Sequence, residues 1–209
     1  PESAKVSELY CGVGAIGLSL LARGNPVRFN ERAPGGLEGL ASGLAARPAA
    51  ERARAAVFPG SAADHLDLLG LVDAVSVVTH TPAHFPVAAD FLKAGVHVLV
   101  EKPVTETVEQ ARELIALAAN SGSVLQVGHL ERFNAVILAA ESQLRNPRFL
   151  ECHRLAPFRE RGTDVNVVLD LMILDIDLLL DFLQAEVSRV DAVGVPVLTP
   201  RYDIVNARF

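Results

Sequence analysis

The chain has 209 residues, half of them hydrophobic and 21% charged, and its formal net charge is −6. This is ordinary globular composition, so disordered and collagen-like classes are excluded. The acidic balance offers no electrostatic footprint for nucleic acid or for an anionic membrane surface, so neither is expected as a partner. The greasiest stretch, 165–183, is broken by Asp170, Asp175, Asp177 and Asp181, whereas a membrane span needs about 20 mostly apolar residues. No basic-then-apolar leader opens the chain, so the expected compartment is the cytoplasm. Cys11 and Cys152 stand alone without CxxC or Cys/His spacing, so neither a disulfide framework nor a zinc site is expected.

In chain order, residues 6–11 read as a strand, 12–17 as a turn opening a helix to about Arg23, and 27–30 as a second short strand. The Ala/Arg-rich region 35–56 reads as one or two helices, 57–58 as a brief strand and 62–69 as a helix. Residues 74–78 form a continuous, Val-rich run, as expected of a strand buried on both faces. A helix over 85–94 should end at Gly95, a natural C′ residue, before another buried strand at 96–100. Thr107 is placed to N-cap a helix that runs to Asn120, with Gly122 just past its end and a strand at 124–127. Strands alternating with helices of this length imply βαβ units and a mostly parallel sheet. After Gly128 the rhythm changes. Residues 132–144 read as helix, 149–155 as a half-exposed antiparallel strand, 157–163 as a charged loop, 165–183 as a long helix, 187–197 as a strand, and 202–209 alternates again. The expected fold class is therefore α/β: a mostly parallel sheet over 1–128, then an α+β domain over 129–209. One conflict stands out. Ser7 and Glu8 are polar in a strand that should be buried, and a buried unpaired carboxylate is costly, so this strand is expected to fray or shift register.

The turn Gly12-Val13-Gly14-Ala15-Ile16-Gly17 is a GxGxxG that follows a strand and opens a helix. The first Gly permits the tight turn, the second lets backbone approach a pyrophosphate, and the third allows close helix–strand packing. The backbone of Gly12, Gly14, Ala15, Ile16 and Gly17 would then meet the phosphates at a helix N-terminus. Glu31 follows the second strand, where a carboxylate would accept hydrogen bonds from the adenosine ribose. That acid repels a 2′-phosphate, so NAD is expected over NADP, with Arg28 and Arg32 arguing the other way.

The strand at 96–100 runs straight into Glu101-Lys102-Pro103. A Lys at the carboxyl end of a parallel strand sits at the edge where such sheets bind ligands. There its ammonium can polarise or stabilise a reacting hydroxyl or carbonyl oxygen. By itself the tripeptide could equally be a solvated turn with a local Glu/Lys pair.

It does not stand by itself. Val77-Val78-Thr79-His80-Thr81-Pro82-Ala83-His84, then Ala94-Gly95-Val96-His97-Val98-Leu99-Val100-Glu101-Lys102-Pro103, then Gly128-His129-Leu130-Glu131-Arg132-Phe133-Asn134 follow one another in order. Together they resemble the Gfo/Idh/MocA family of nicotinamide-dependent sugar oxidoreductases, whose pattern runs roughly TPN-x-x-H, AGKHV-x-x-EKP and a later RF. A narrower likeness, carried by 128–134, 154–158, 161–165 and 170–173, is to a branch that includes UDP-N-acetylglucosamine 3-dehydrogenases. The resemblance implies a Rossmann-type first domain and a second domain with an open, mostly antiparallel sheet. It also implies a sugar or sugar-nucleotide substrate, and self-association as a dimer or tetramer through that second sheet. Family members are longer, so the chain reads as truncated at its C-terminus. By resemblance Lys102 lies beside nicotinamide and substrate, next to Glu101, while Thr79, Thr81 and His84 line the cofactor. Thr81 stands where the family prefers Asn, and His80 where it prefers Pro. His84 could equally be a helix-start residue satisfying backbone groups, and Arg132 and Asn134 could reach substrate.

The resemblance also implies a D-x-x-x-H pattern in the helix at 165–183, where Asp170 would orient a general-base imidazole one turn on. Here Asp170 is followed at that position by Leu174, which cannot take a proton. Asp175 is adjacent but points about 100° away on a regular helix. Asp170, Asp177 and Asp181 share a face without a His, and no metal is expected. The reading is an NAD-dependent oxidoreductase with Lys102 and Asp170 in catalysis. The alternatives are an impaired or non-catalytic dinucleotide-binding member, and an interaction protein built on the second domain.

Overall fold

The computed structural model describes residues 4–9, 15–59, 69–141, 143–144, 147–157 and 165–209. They belong to two compact units, Pro1–Gly128 and His129–Phe209. The first is built on β1 (Val6–Leu9), β2 (Val27–Glu31), β3 (Ala55–Pro59), β4 (Ala74–Val77), β5 (His97–Glu101) and β6 (Leu125–Gly128). Their spatial order is β3-β2-β1-β4-β5-β6, with every neighbouring pair parallel. The chain thus winds outward one way from β1 and the other way from β4. The reversal leaves a crevice at the carboxyl ends of the two central strands, as in Rossmann-type sheets.

Among the described residues, five helices connect the strands: α1 (Ala15–Ala22), α2 (Pro34–Ala45), α3 (Ala49–Arg52), α4 (Thr81–Lys93) and α5 (Val108–Ser121). Among the described residues, two separate clusters of buried side chains form the core. Leu21 of α1 and Leu40 of α2 pack with Val27 and Phe29 of β2. Phe91 and Leu92 of α4 and Leu114 of α5 pack with Val75, Val77, Val98 and Val100. Thr107 caps α5 by accepting the Gln110 N–H at 3.3 Å, and Gly122 closes it in the left-handed region at φ 69°. Helix α4 starts four residues earlier than the sequence suggests. Pro86 looks like a first-turn proline, but Pro82 takes that place behind an extended His80.

Strand β1 overturns the expected fraying. Ser7 and Glu8 pair in register with Arg28 and Phe29 on one side and with Val75 and Ser76 on the other, and all four residues of β1 are buried. The physical reason is that the Glu8 carboxyl is not unpaired, as described below. Gly12, Gly14, Cys11, the helix expected at 62–69 except its last residue, and nearly all of the charged loop lie outside the described residues.

The second unit holds a 3-10 turn (Leu130–Phe133), α6 (Ala135–Glu141), a π-helical turn (Val168–Met172) running into α7 (Ile173–Leu183), and an antiparallel hairpin of β7 (Asp191–Val195) and β8 (Ile204–Arg208). The helix expected at 132–144 is split at Asn134, whose extended backbone ends the 3-10 turn and whose Oδ1 accepts the Val136 N–H at 3.0 Å. The strand expected at 149–155 is absent: among the described residues that segment has no ladder partner, and Phe149 and Leu155 are exposed. In the hairpin, one Asp203 oxygen accepts the N–H groups of Val197, Leu198 and Thr199 at 2.7–2.9 Å. These bonds fix the connection and hold the Asp203 carboxyl well below the usual carboxylate range. No helix among the described residues is long and apolar enough to cross a membrane.

Candidate active site

The first unit brings most of the expected site residues to one edge of its sheet. Ala15, Ile16 and Gly17 open α1 after β1, and Glu31 ends β2. Thr79 and Thr81 follow β4, while Glu101 ends β5 with Lys102 next. This is the carboxyl edge of a parallel sheet, where such folds bind ligands.

Gly17 is where α1 meets the sheet. A Cβ there would collide with the Phe29 ring and lie 2.6 Å from Glu8 Oε2. Only glycine permits this approach, which is the role of the third glycine in a dinucleotide-binding turn. Gly17→Ala should cost about 1–3 kcal/mol, as overpacking does. A urea titration reads the cost, and a midpoint equal to the parent's would show that α1 can retreat without penalty.

Beneath the turn lies Glu8, 2% exposed. Its Oε2 accepts the Gly17 N–H at 2.9 Å. Burial pushes its carboxyl up to about 7, against the opposing pull of the Gly17 and Ile16 N–H groups. An acid that is mostly neutral below that value avoids the cost of burying a charge, and the bond to α1 satisfies a donor that the helix leaves open. The strand pattern alone gave no sign of this partner.

Glu31 is buried, and its Oε1 accepts the N–H groups of Arg32 at 2.7 Å and Ala33 at 2.6 Å. Gly36 makes room for it, since a Cβ there would lie 2.9 Å from the Glu31 Cδ. The carboxylate is therefore held at the end of β2 and the start of α2. The closely packed glycine, the helix end above it and the carboxylate fixed at the next strand fit a dinucleotide.

Around Lys102 the backbone is held from two sides. Glu101 Oε2 accepts the Lys102 N–H at 3.3 Å, and Glu101 packs on Gly128 at the end of β6. His84, 1% exposed, sets its Nδ1 2.8 Å from the Pro103 carbonyl oxygen and its Nε2 2.9 Å from that of Thr79. The ring joins the exit of β4 to the cis Lys102–Pro103 segment. Both ring nitrogens face the chain's own carbonyls, so neither is left for a cofactor. Thr79 turns its hydroxyl to the His80 carbonyl at 3.3 Å, and Thr81 is buried at the first position of α4.

In the second unit, Arg132 and Asn134 make bonds within the unit. Arg132 grips Asp177 through Nε at 2.7 Å and Nη2 at 2.6 Å, and reaches Asp181 through Nη1 at 2.7 Å. Asn134 Nδ2 donates to Glu131 Oε2 at 3.2 Å. Asp175, the residue beside the missing histidine, is held by Arg154 through Nε and Nη2 at 2.7–3.1 Å. Asp170 lies within the π-helical turn, half-buried. Asp177 and Asp181 thus serve one arginine, and Asp175 another. His129, to which the sequence reading gave no role, places Nδ1 3.6 Å from Asp177 Oδ2. No signal in the sequence links these two residues. Among the described residues, no three His, Cys, Asp or Glu side chains are arranged to hold a metal.

Comparison with known proteins agrees with this fold. Residues 9–129 match the model of the Gfo/Idh/MocA oxidoreductase family, described as having an NAD-binding Rossmann fold. The UDP-N-acetylglucosamine 3-dehydrogenase of Acidithiobacillus ferrooxidans is 40% identical over 202 residues, covering 95% of this chain and 63% of that protein. An inositol 2-dehydrogenase of Rubrobacter xylanophilus is 28% identical over 195 residues, covering 88% of this chain and 55% of that protein. A solved structure of the Acidithiobacillus ferrooxidans 3-dehydrogenase superposes with a TM-score of 0.77 at 36% identity, covering 99% of this chain and 63% of that one. The chain therefore spans less than two thirds of the length of these relatives. With its glycine-opened α1, parallel switch-point sheet and matching segment, the chain belongs to the Gfo/Idh/MocA family of NAD-binding oxidoreductases.

Proposed function

We propose that this chain serves an NAD-dependent dehydrogenase that oxidises a sugar nucleotide, with C3 of a UDP-amino sugar as the reacting carbon. The observation that carries the proposal is Lys102 at the carboxyl end of β5, on the same sheet edge as Gly17 and Glu31. The substrate class is supported by the 40% identity to a UDP-N-acetylglucosamine 3-dehydrogenase. In this reading the first turn of α1, Ala15 to Gly17, faces the pyrophosphate, and Glu31 accepts from the adenosine ribose. Bound NAD supplies the hydride acceptor. The Lys102 ammonium stabilises negative charge growing on the sugar oxygen as its proton leaves. Thr79 and Thr81 flank the cofactor, and by the resemblance Arg132, Asn134 and Asp170 are assigned to the substrate.

The test has two readouts on the whole chain: calorimetric binding of NAD and NADP, and NADH formation with UDP-N-acetylglucosamine. NAD should bind more tightly than NADP, because Glu31 repels a 2′-phosphate. No binding of either up to millimolar concentration overturns the proposal. Leu174 favours a second reading, in which cofactor and sugar bind but turn over slowly. A rise of about tenfold or more in Leu174→His, within the reach of a restored general base, would support it. Val193, Val195 and Ile204 share an exposed face of the hairpin, and we place self-association there; light scattering that shows a monomer overturns that placement.

A further inference from the structure

The Lys102 ammonium is useful in catalysis only if the backbone that carries it stays in place, and His84 ties that backbone to the neighbouring strand exit. We propose that His84 is a positioning residue for Lys102, acting through the two carbonyls it spans; this rests on the dehydrogenase reading above. Both residues and both carbonyls belong to the first unit. Helix α4 is a firm base for the ring. Its Val87, Ala88, Phe91 and Leu92 are buried in one cluster with Val75 and Val77 of β4 and Val98 and Val100 of β5. His84 is the fourth residue of that helix and 1% exposed, with Nδ1 2.8 Å from the Pro103 oxygen and Nε2 2.9 Å from the Thr79 oxygen. A carbonyl oxygen only accepts, so a doubly protonated ring serves both and a neutral ring serves one. In either state one buried ring spans the two strand exits.

Lys102 stands between two restraints. On its N-terminal side, Glu101 pairs with Gly128 in the β5–β6 ladder, and Glu101 Oε2 accepts the Lys102 N–H at 3.3 Å. On its C-terminal side comes Pro103, which has no N–H with which to anchor itself, and the His84 ring meets its carbonyl. The other end of the ring rests on Thr79, two residues past β4. His84 thereby sets the spacing between the β4 exit, with Thr79 and Thr81, and the β5 exit, with Lys102. Placement of this kind acts on rate, since a displacement of about 1 Å can cost about 10²-fold.

Kinetics and hydrogen exchange on the full chain test the proposal. His84→Phe keeps an aromatic ring and removes both nitrogens. Its kcat with UDP-N-acetylglucosamine should fall by about 10²-fold, with KM and calorimetric NAD affinity close to the parent's. His84→Gln keeps an amide donor for one carbonyl and should fall between the two; it carries the same comparisons where His84→Phe does not fold. In a Lys102→Met background, His84→Phe should cost nothing further, because an effect that acts through Lys102 disappears with it. An equal fall with and without Lys102 marks a packing defect and overturns the proposal, as does an unchanged kcat in His84→Phe. Exchange reads the position without turnover. The Lys102 amide should exchange about tenfold faster in His84→Phe, the scale of one lost hydrogen bond. The Val98 amide of β5, bonded to the Val124 carbonyl at 2.8 Å, should keep the parent's rate. Equal acceleration at both amides, or none at Lys102, overturns the proposal. If the parent forms no NADH from UDP-N-acetylglucosamine while the Lys102 amide responds as expected, the substrate reading fails and the His84 clip stands.

Discussion

Lys102→Met should lower kcat for UDP-N-acetylglucosamine oxidation by about 10²–10⁴-fold, the range typical for loss of an acid–base group, while NAD affinity changes little. Methionine keeps the length and apolar stem of lysine and removes the ammonium. The backbone is held by Glu101, whose Oε2 accepts the Lys102 N–H, and by His84, which bonds the next carbonyl at Pro103. The loss should therefore fall on kcat. Lys102→Arg should not restore it, because a guanidinium is larger, cannot share its proton and presents a planar fork where the lysine offers a compact charge. Steady-state kinetics with calorimetric NAD binding separate the two effects. A Lys102→Met protein with a kcat near the parent's would remove Lys102 from the chemistry and leave it a solvated strand-end lysine.

What the sequence made legible depended on how local the cause was. The alternation of apolar runs with amphipathic stretches was enough for the parallel sheet, because strands buried on both faces write their burial into consecutive residues. The Thr107 cap and the Gly122 terminus were equally readable, since donor, acceptor and left-handed glycine lie within one turn of the helix they bound. Glu8 was misread because its partner is a backbone N–H nine residues on, presented only once α1 folds down over β1. The π-helical turn at Val168–Met172 left no mark in a stretch whose hydrophobic spacing suits a plain helix. The site shows the same division. Lys102 and Glu31 declare themselves by standing at strand ends. The ion pairs of Arg132 could not be read from the sequence, because its partners Asp177 and Asp181 lie more than 40 residues away.

The second large effect concerns pH and is carried by Glu8. Its carboxyl is raised from 4.5 to about 7 in the folded chain, chiefly by burial. Between those two values the native state keeps a proton that the unfolded chain has released, so stability is fully present below pH 4.5 and is lost as pH climbs through 7. A shift of this size corresponds to about 3 kcal/mol lost by pH 8. Glu8→Gln removes the titration and keeps a carbonyl oxygen to accept the Gly17 N–H. Urea unfolding at a series of pH values should therefore show the variant gaining on the parent by about 3 kcal/mol between pH 4.5 and 8. A difference that stays flat across that window would mean that Glu8 titrates normally and that its burial costs nothing. The same group bears on the cofactor. A pyrophosphate at the N-terminus of α1 adds negative charge close to Glu8, so binding favours the protonated acid. NAD binding near pH 7 should then take up protons, seen as a heat that varies with the ionisation enthalpy of the buffer, and Glu8→Gln should abolish the uptake.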